Sequence, residues 1–465
     1  MVRLYDTMAR AVVDLAPGSD GTLRMYSCGP TVYRFAHIGN LRTFLMADLI
    51  RRAFEYQGIP VRQIQNITDV GHMTDDEFDT GEDKMLVSAG LEGKPPMEIA
   101  EYYTKVFFDD VRAINIQEAA DYPRATSYVP EMIEIIAKLV ERGHAYVAGG
   151  GVYFDVQSFP AYGRLSGNTL DQLQSGHRSV IDDPNKRHHA DFLLWRPAGA
   201  RRAMKWSSPW GDGFPGWHIE CSAMSIALLG EEFDLHTGGE DNVFPHHEDE
   251  IAQSEGAVGH SVVRHWVHGA HLLSEGRKMA KSAENFYDLR DLAERGHFDP
   301  LAARLLFLQS RYRAQMNFTL DALGAAERTL DRWRRLIAEW TRKPGETIGD
   351  LVEKYEERFL TSLNDDLDTP QLVALLAEVV STDALAPKDK SALLLRWDKV
   401  LGLDLSRETG GARPIPSAAY ELIGQREKAR AKKDYSTADR IRHKILSLGI
   451  EVEDTPEGPK PRWVR

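Results

Sequence analysis

Between residues 41 and 54, apolar side chains recur with the period of a helix. Leu41, Leu45, Leu49 and Ala53 fall at i+4 steps, Met46, Ile50 and Phe54 widen the stripe, and Gly58 and Pro60 stop it. A stripe that broad packs on a sheet. Leu23 to Cys28 before it and Val61 to Thr68 after it read as strands, so this region predicts strand, helix, strand, the unit of a doubly wound parallel sheet. The run Phe233 to His236, ahead of Thr237-Gly238-Gly239, predicts a return of the same character. From residue 118 to 205 the pattern shifts, with turn clusters at Gly149-Gly150-Gly151, Ser166-Gly167-Asn168 and Asp182-Asp183-Pro184-Asn185, which marks an insertion. Beyond Asp299 the chain turns Leu-, Ala- and Arg-rich and helical. The expected architecture is an α/β, Rossmann-like doubly wound sheet in two halves, 1–117 and 206–298. It carries the insertion at 118–205, and a helical bundle at 299–410 and a small unit at 418–465 follow.

Composition narrows the function classes. The chain has 465 residues, 42% hydrophobic and 27% charged, enough for a large core and unlike a disordered protein. Its net charge of −13 excludes a surface that is basic all over, so any nucleic-acid contact must be local. One such reversal exists: from Arg426 to Lys444, eight basic residues stand against Glu427, Asp434 and Asp439, a local charge of +5, with Tyr435 and Trp463 as candidates to stack on unpaired bases. A solvated basic helix reads the same way. No apolar run approaches the roughly 18 residues of a membrane span, and Arg3, Asp6, Arg10 and Asp14 interrupt any signal-like core, so a soluble, cytoplasmic protein is expected. The only cysteines, Cys28 and Cys221, leave one disulfide, two buried thiols or metal ligation open.

Three constellations carry chemistry. His37-Ile38-Gly39-Asn40 lies at the first strand-to-helix turn, where free backbone N–H groups and the helix dipole attract polyphosphate. His37 would add donors, and Gly39 would let a nucleotide approach. Gly276-Arg277-Lys278-Met279-Ala280-Lys281-Ser282 offers two lysines suited to charge building up on a pyrophosphate leaving group, or a plain charged turn. His246 and Glu250, at i and i+4, can converge on a metal with Cys28 and Cys221, although His247 could pair with Glu250 instead.

Together, the His-Ile-Gly-Asn and Lys-Met-Ala-Lys-Ser strings resemble the two signature motifs of class I aminoacyl-tRNA synthetases. Ser27-Cys28-Gly29-Pro30-Thr31-Val32-Tyr33, Asn66-Ile67-Thr68-Asp69, Pro215 to Cys221, Phe244 to Gln253 and the tail from Arg426 are similar to the cysteinyl-tRNA synthetase family. The resemblance implies a Zn2+ ion on Cys28, Cys221, His246 and Glu250. It further implies ATP, with Mg2+, handled by His37, Gly39, Asn40, Lys278 and Lys281, and cysteine contacts at Gly29, Thr68, Trp217 and Asp241. Its partners would be tRNA(Cys), L-cysteine and ATP, with no membrane, and the chain would act as a monomer. Zinc has a reason to be there: a pocket alone separates sulfur from oxygen poorly, whereas a borderline-soft metal prefers thiolate. Four protein ligands usually close a site, so thiol binding requires a fifth position or a loosened ligand, Glu250 being the easiest to yield. Two departures stand out: Asn40 where the family's motif ends in His, and Ala280 where it has Ser. They predict slower adenylate formation at worst, not a dead site. The rival readings are a mycothiol-pathway cysteine ligase with an amino-sugar acceptor, and a synthetase-like RNA-binding protein without catalysis.

Overall fold

The computed structural model describes the chain except residues 72, 76–79, 84–86, 89, 91, 170–182, 200, 201, 203, 280–284, 297, 343–348, 408–414, 449, 456, 457, 464 and 465. An antiparallel pair, β1 (Arg3–Asp6) and β2 (Ala11–Asp14), precedes β3 (Leu23–Ser27), α1 (Ile38–Tyr56) and β4 (Val61–Gln65). A second pair, β5 (Met73–Asp75) and β6 (Thr80–Asp83), leads to α2 (Pro96–Ala113) and α3 (Val129–Glu141). Strands β7 (Ala145–Ala148), β8 (Gly151–Phe154), β9 (Phe192–Pro197) and β10 (Gly213–Pro215) then form an antiparallel sheet in the order β10-β9-β8-β7. Next come α4 (Trp217–Leu229), β11 (Phe233–Gly239), α5 (Glu248–Val258) and β12 (Val263–Gly269).

The central sheet is parallel, in the order β12-β11-β3-β4. Leu23 pairs with Val61, Thr237 with Ser27, and Phe233 with Val263. Successive strands run outward from β3 to β4 on one side and from β11 to β12 on the other. The switch point therefore falls between β3 and β11, where ligands bind at the strands' carboxyl ends in open α/β sheets. A small sheet, β14-β13-β15, joins β13 (Leu272–Ser274), β14 (Arg277–Lys278) and β15 (Met316–Phe318), with α6 (Leu289–Gly296) and α7 (Pro300–Leu308) between the last two strands. Helices α8 (Leu320–Trp340), α9 (Gly349–Asn364), α10 (Thr369–Ser381) and α11 (Pro387–Leu401) follow. A last unit contains α12 (Ser417–Ala431), α13 (Tyr435–Ser447) and the hairpin β16 (Ile450–Thr455), β17 (Gly458–Trp463).

Core packing does not respect those steps in sequence. Leu41, Leu45 and Ile50 of α1 share one apolar cluster with Leu305, Phe359 and Trp397 of the helical region. Buried charge reinforces the join: Asp48 on α1 accepts from Arg52 Nε (2.8 Å) and from fully buried Arg304 (2.7 Å), whose guanidinium also reaches the carbonyls of Ile114, Asn115 and Leu401. A buried guanidinium is tolerable only when its donors are satisfied in this way. The antiparallel sheet packs against α3 and α4 in a second cluster, and the C-terminal unit has its own small core of Ala419, Ile423, Ile445, Ile450 and Val452.

Helix α1 begins at Ile38, ahead of the expected start at Leu41. The reason is local: the His37 ring is the N-cap, its Nδ1 accepting from the backbone N–H groups of Gly39 (3.1 Å) and Asn40 (3.2 Å), while Asn40 Oδ1 accepts from the His37 N–H (3.2 Å). This reciprocal cap satisfies donors that a helix start otherwise leaves open.

Candidate functional site

At the carboxyl ends of β3 and β11 lies a cavity of ≈ 180 Å³ whose walls include Gly29, Thr68, Trp217 and Asp241, together with Asn40, Cys28, Cys221 and His246. The backbone explains several of these positions. Gly29 lies so close to the residue that follows β4 that a Cβ there would sit 1.6 Å from the Asn66 carbonyl oxygen, so no larger residue fits. Its N–H donates to Asn66 Oδ1 (2.8 Å), Asn66 Nδ2 donates to Thr68 Oγ1 (3.0 Å), and the Thr68 hydroxyl donates to Glu220 (2.9 Å). The chain of bonds pins the pocket floor. Trp217 is half-buried, its ring centroid 4.3 Å from that of His246, which makes it a wall of the pocket and not core filling. Asp241 is exposed at the rim.

One ligand atom from each of Cys28, Cys221, His246 and Glu250 lies within 4.8 Å of the others. Both cysteines are free thiols, which removes the disulfide alternative. A kinked segment, Val243–His247, with extended backbone at Phe244, buries His246 and His247 and leads into α5, which supplies Glu250. Glu250 Oε1 is buried and makes no hydrogen bond, although His246 Nε2 lies 3.0 Å away. A proton shared with His246, or a cation held by both atoms, would satisfy this oxygen. His246 is steadied from behind, its Nδ1 2.8 Å from His218 Nδ1, the outer-shell arrangement that orients metal-binding imidazoles.

A second, overlapping set, Cys28, His236, His247 and Glu250, is gathered just as closely. His236 escaped sequence reasoning, because nothing in the spacing of Phe233 to His236 links it to Glu250. Donor use separates the two sets. His247 spends Nε2 on Cys28 Sγ (3.1 Å) and Nδ1 on His268 (2.7 Å), and His236 Nε2 is bonded to Glu250 Oε2 (2.9 Å). In the set with Cys221, that thiol makes a long contact to Asn66 (3.9 Å). Burial pushes the Glu250 carboxyl up, but His236 and His246 outweigh it and bring it down to about 2. Burial lowers the pKa of His246, and Glu250 and Cys221 reverse this to about 10. Burial raises the Cys28 thiol, and the hydrogen bond between the two thiols, followed by burial, raises Cys221 far more. The cluster is thus a dense set of donors competing for protons, the electronic setting that a divalent cation relieves.

The nucleotide end differs from expectation in one respect. Free backbone amides are anticipated around Gly39, yet Gly39 and Asn40 give theirs to the His37 ring and Ile38 gives its own to the Tyr287 carbonyl (2.9 Å). His37 therefore accepts at Nδ1, leaving Nε2 as its one ring donor for a ligand. Burial, then Arg34 and His271, lower its pKa to about 4, so the ring is neutral near pH 7. A Cβ on Gly39 would lie 2.8 Å from Met279 Cε, so the two signature strings touch through that glycine. The Lys278 side chain and Lys281, like Ala280, lie outside the described residues.

On the C-terminal unit, Lys428, Lys432, Lys433, Arg440, Arg442 and Lys444 are exposed, and so is Tyr435. Arg426 is not available as a phosphate contact: it is buried and holds Asp454 through two bonds of 2.8 Å, and Arg430 also pairs with Asp454 (2.7 Å). The Trp463 side chain lies outside the described residues. No helix among the described residues is long and apolar enough to cross a membrane.

The family model described as the tRNA synthetases class I (C) catalytic domain matches residues 14–328, and that of the cysteinyl-tRNA ligase anticodon binding domain matches residues 412–460. The chain is 44% identical to a cysteine–tRNA ligase of Thermus thermophilus, covering 99% of each, and 43% identical to that of Salinibacter ruber, covering 100% of this chain and 98% of the relative. In fold it is similar to Mycobacterium tuberculosis methionyl-tRNA synthetase in complex with methionyl-adenylate (TM-score 0.56, 14% identity, 82% and 89% of the two chains). It is likewise similar to an Agrobacterium radiobacter LeuRS (TM-score 0.57, 11% identity, 84% of each).

Proposed function

The chain belongs to the cysteinyl-tRNA synthetase family, the cysteine–tRNA ligases of class I, and on that premise we propose how its own residues carry the family's reaction. The enzyme activates L-cysteine with ATP and transfers it to tRNA. A cysteine carboxylate oxygen attacks the α-phosphorus of ATP, the bond to the bridging oxygen of the β-phosphate breaks, and pyrophosphate leaves with that oxygen. A hydroxyl of the 3′-terminal ribose of tRNA(Cys) then attacks the cysteinyl carbonyl, gives up its proton, and AMP departs. Position and charge do the work here, with no covalent enzyme intermediate.

The observation that carries the substrate assignment is the convergence of two thiols and an imidazole on one wall of the pocket, with a buried Glu250 carboxylate oxygen within 4.8 Å of each. Cys28, Cys221, His246 and Glu250 would hold one Zn2+ ion. When bound, it supplies a Lewis acid that takes the substrate's thiolate in preference to the hydroxyl of serine. Trp217 walls the amino-acid pocket, Asp241 faces the substrate ammonium from the rim, Gly29 admits the backbone of cysteine, and Thr68 is held by Asn66 and Glu220 to complete the floor. His37 Nε2, the Asn40 side-chain Nδ2 and the dipole of α1 at Gly39 face the ATP phosphates. Lys278 and Lys281 take the charge that moves onto pyrophosphate. Asn40 is less costly than a cation-to-neutral change implies, because His37 is itself neutral and Asn40 is built into the helix cap.

The division into 1–117, 118–205, 206–298, 299–410 and 418–465, Mg2+ travelling with ATP, and action as a cytoplasmic monomer belong to this proposal. The anticodon-binding match over 412–460 weighs against the amino-sugar ligase reading. The test is aminoacylation of purified tRNA with cysteine, serine as control, and zinc measured on the same sample. Charging by cysteine alone with about one zinc per chain is expected. Equal charging by serine, or full discrimination in zinc-free protein, overturns the assignment.

A further inference from the structure

Arg42 stands in the second turn of α1 and is buried, at 6% exposure. Its guanidinium donates to four backbone carbonyls: Nη1 to Ala270 (2.7 Å) and, more weakly, His271 (3.4 Å), and Nη2 to Arg311 (2.9 Å) and Ala314 (2.8 Å). Among the described residues no carboxylate bonds to it. The two bonded stretches enter β13 and β15, the parallel pair of the small sheet, and β13 turns back through Gly276 into β14, which leads to the lysine loop. From a third side, Glu240 accepts from the His271 N–H (2.7 Å).

A buried cation is costly unless its donors are satisfied, and here backbone carbonyls satisfy them. What the guanidinium offers is a rigid planar fork that holds two chain segments at a set distance from the helix, which neither an ammonium nor a methyl group can do. At one end of α1 is the capped first turn with His37 and Asn40; Met279, beyond the hairpin, meets that turn at Gly39. We infer that Arg42 is a positioning residue for adenylate formation, setting the separation between the first turn of α1 and the β13–β14 hairpin, whose last residue is Lys278. The inference rests on the proposed sharing of the ATP phosphates by those two elements.

The test uses full-length Arg42→Lys and Arg42→Met proteins. Cysteine-dependent ATP–pyrophosphate exchange is compared with zinc content, cysteine affinity by calorimetry, and transfer to tRNA from isolated cysteinyl-adenylate. Because displacements of about 1 Å at a reacting centre cost on the order of 100-fold, the exchange kcat should fall roughly 10- to 100-fold in both variants. Zinc content, cysteine affinity and transfer should stay within about threefold of the parent, since none of them needs the pyrophosphate-facing charges. Exchange near the parental rate overturns the inference. A parallel loss of zinc, cysteine affinity and transfer, or failure of both variants to fold, also overturns it by making Arg42 a fold residue. Absence of exchange in the parent chain would instead sink the functional proposal itself.

Discussion

At the switch point of the parallel sheet, Cys221, His246 and Glu250 are each only 2% exposed, whereas on the C-terminal unit Tyr435 is 62% exposed and stands among exposed lysines and arginines. The first region has fixed its donors before any ligand arrives, through second partners such as His218 behind His246 and His236 behind Glu250. It suits a small ligand told apart by one atom. The second has a core of a few aliphatic residues and leaves its charges to the solvent. Such a surface suits a polyanion that is recognised over many weak contacts and weakened by salt. A buried site discriminates, and an exposed one gathers.

Substitution in the buried site should give the largest effect. Cys221→Ser removes a soft ligand, and we expect zinc loss with a fall in cysteine-dependent pyrophosphate exchange beyond the roughly 10- to 100-fold typical of an outer-shell partner. tRNA binding, read by filter retention, should be unchanged. If tRNA binding falls in step, the two regions are not independent. Tyr435→Ala reverses the pattern: tRNA affinity should weaken by about 1–3 kcal/mol, the usual cost of a lost stacking platform, with exchange unaltered. Retained affinity would leave Tyr435 as an ordinary exposed ring.

The smallest effect is a pH dependence confined to the C-terminal unit. The Asp454 carboxyl is held down to about 2, first by its hydrogen bond to Arg426. A depressed carboxylate contributes stability above its unfolded pKa of about 4, and that contribution fades as pH falls toward 2. With the Asp454 side chain 43% exposed, solvent screening keeps the amount to about 1 kcal/mol or less. Thermal melts of the parent and Asp454→Asn should therefore differ at pH 6 and converge near pH 2. A difference that persists at low pH would mean packing, not charge, joins the hairpin to α12.

Local chemistry was legible without coordinates. The apolar period of residues 41–54 and its Gly58–Pro60 stop announced α1, and the strand runs on either side announced the parallel sheet, because period and turn residues are properties of neighbours in the chain. The choice of Cys28, Cys221, His246 and Glu250 came from family resemblance, and the structure brings them together. What escaped were pairings across long separations. His236 behind Glu250, Glu220 behind Thr68, Arg42 on the carbonyls of Ala270 and Ala314, and Arg426 withdrawn by Asp454 leave no mark in sequence spacing. Even the His37 ring is read as a phosphate donor until the cap shows its Nδ1 already occupied.

The sequence by itself determined which elements form and which side chains could ligate, donate or stack, since those follow from residue type and short-range period. Tertiary structure alone decided which of those groups remain free to act. Burial makes an unpaired charge or donor expensive, so folding commits most such groups to one another, and only those left over, such as Glu250 Oε1, remain for a ligand.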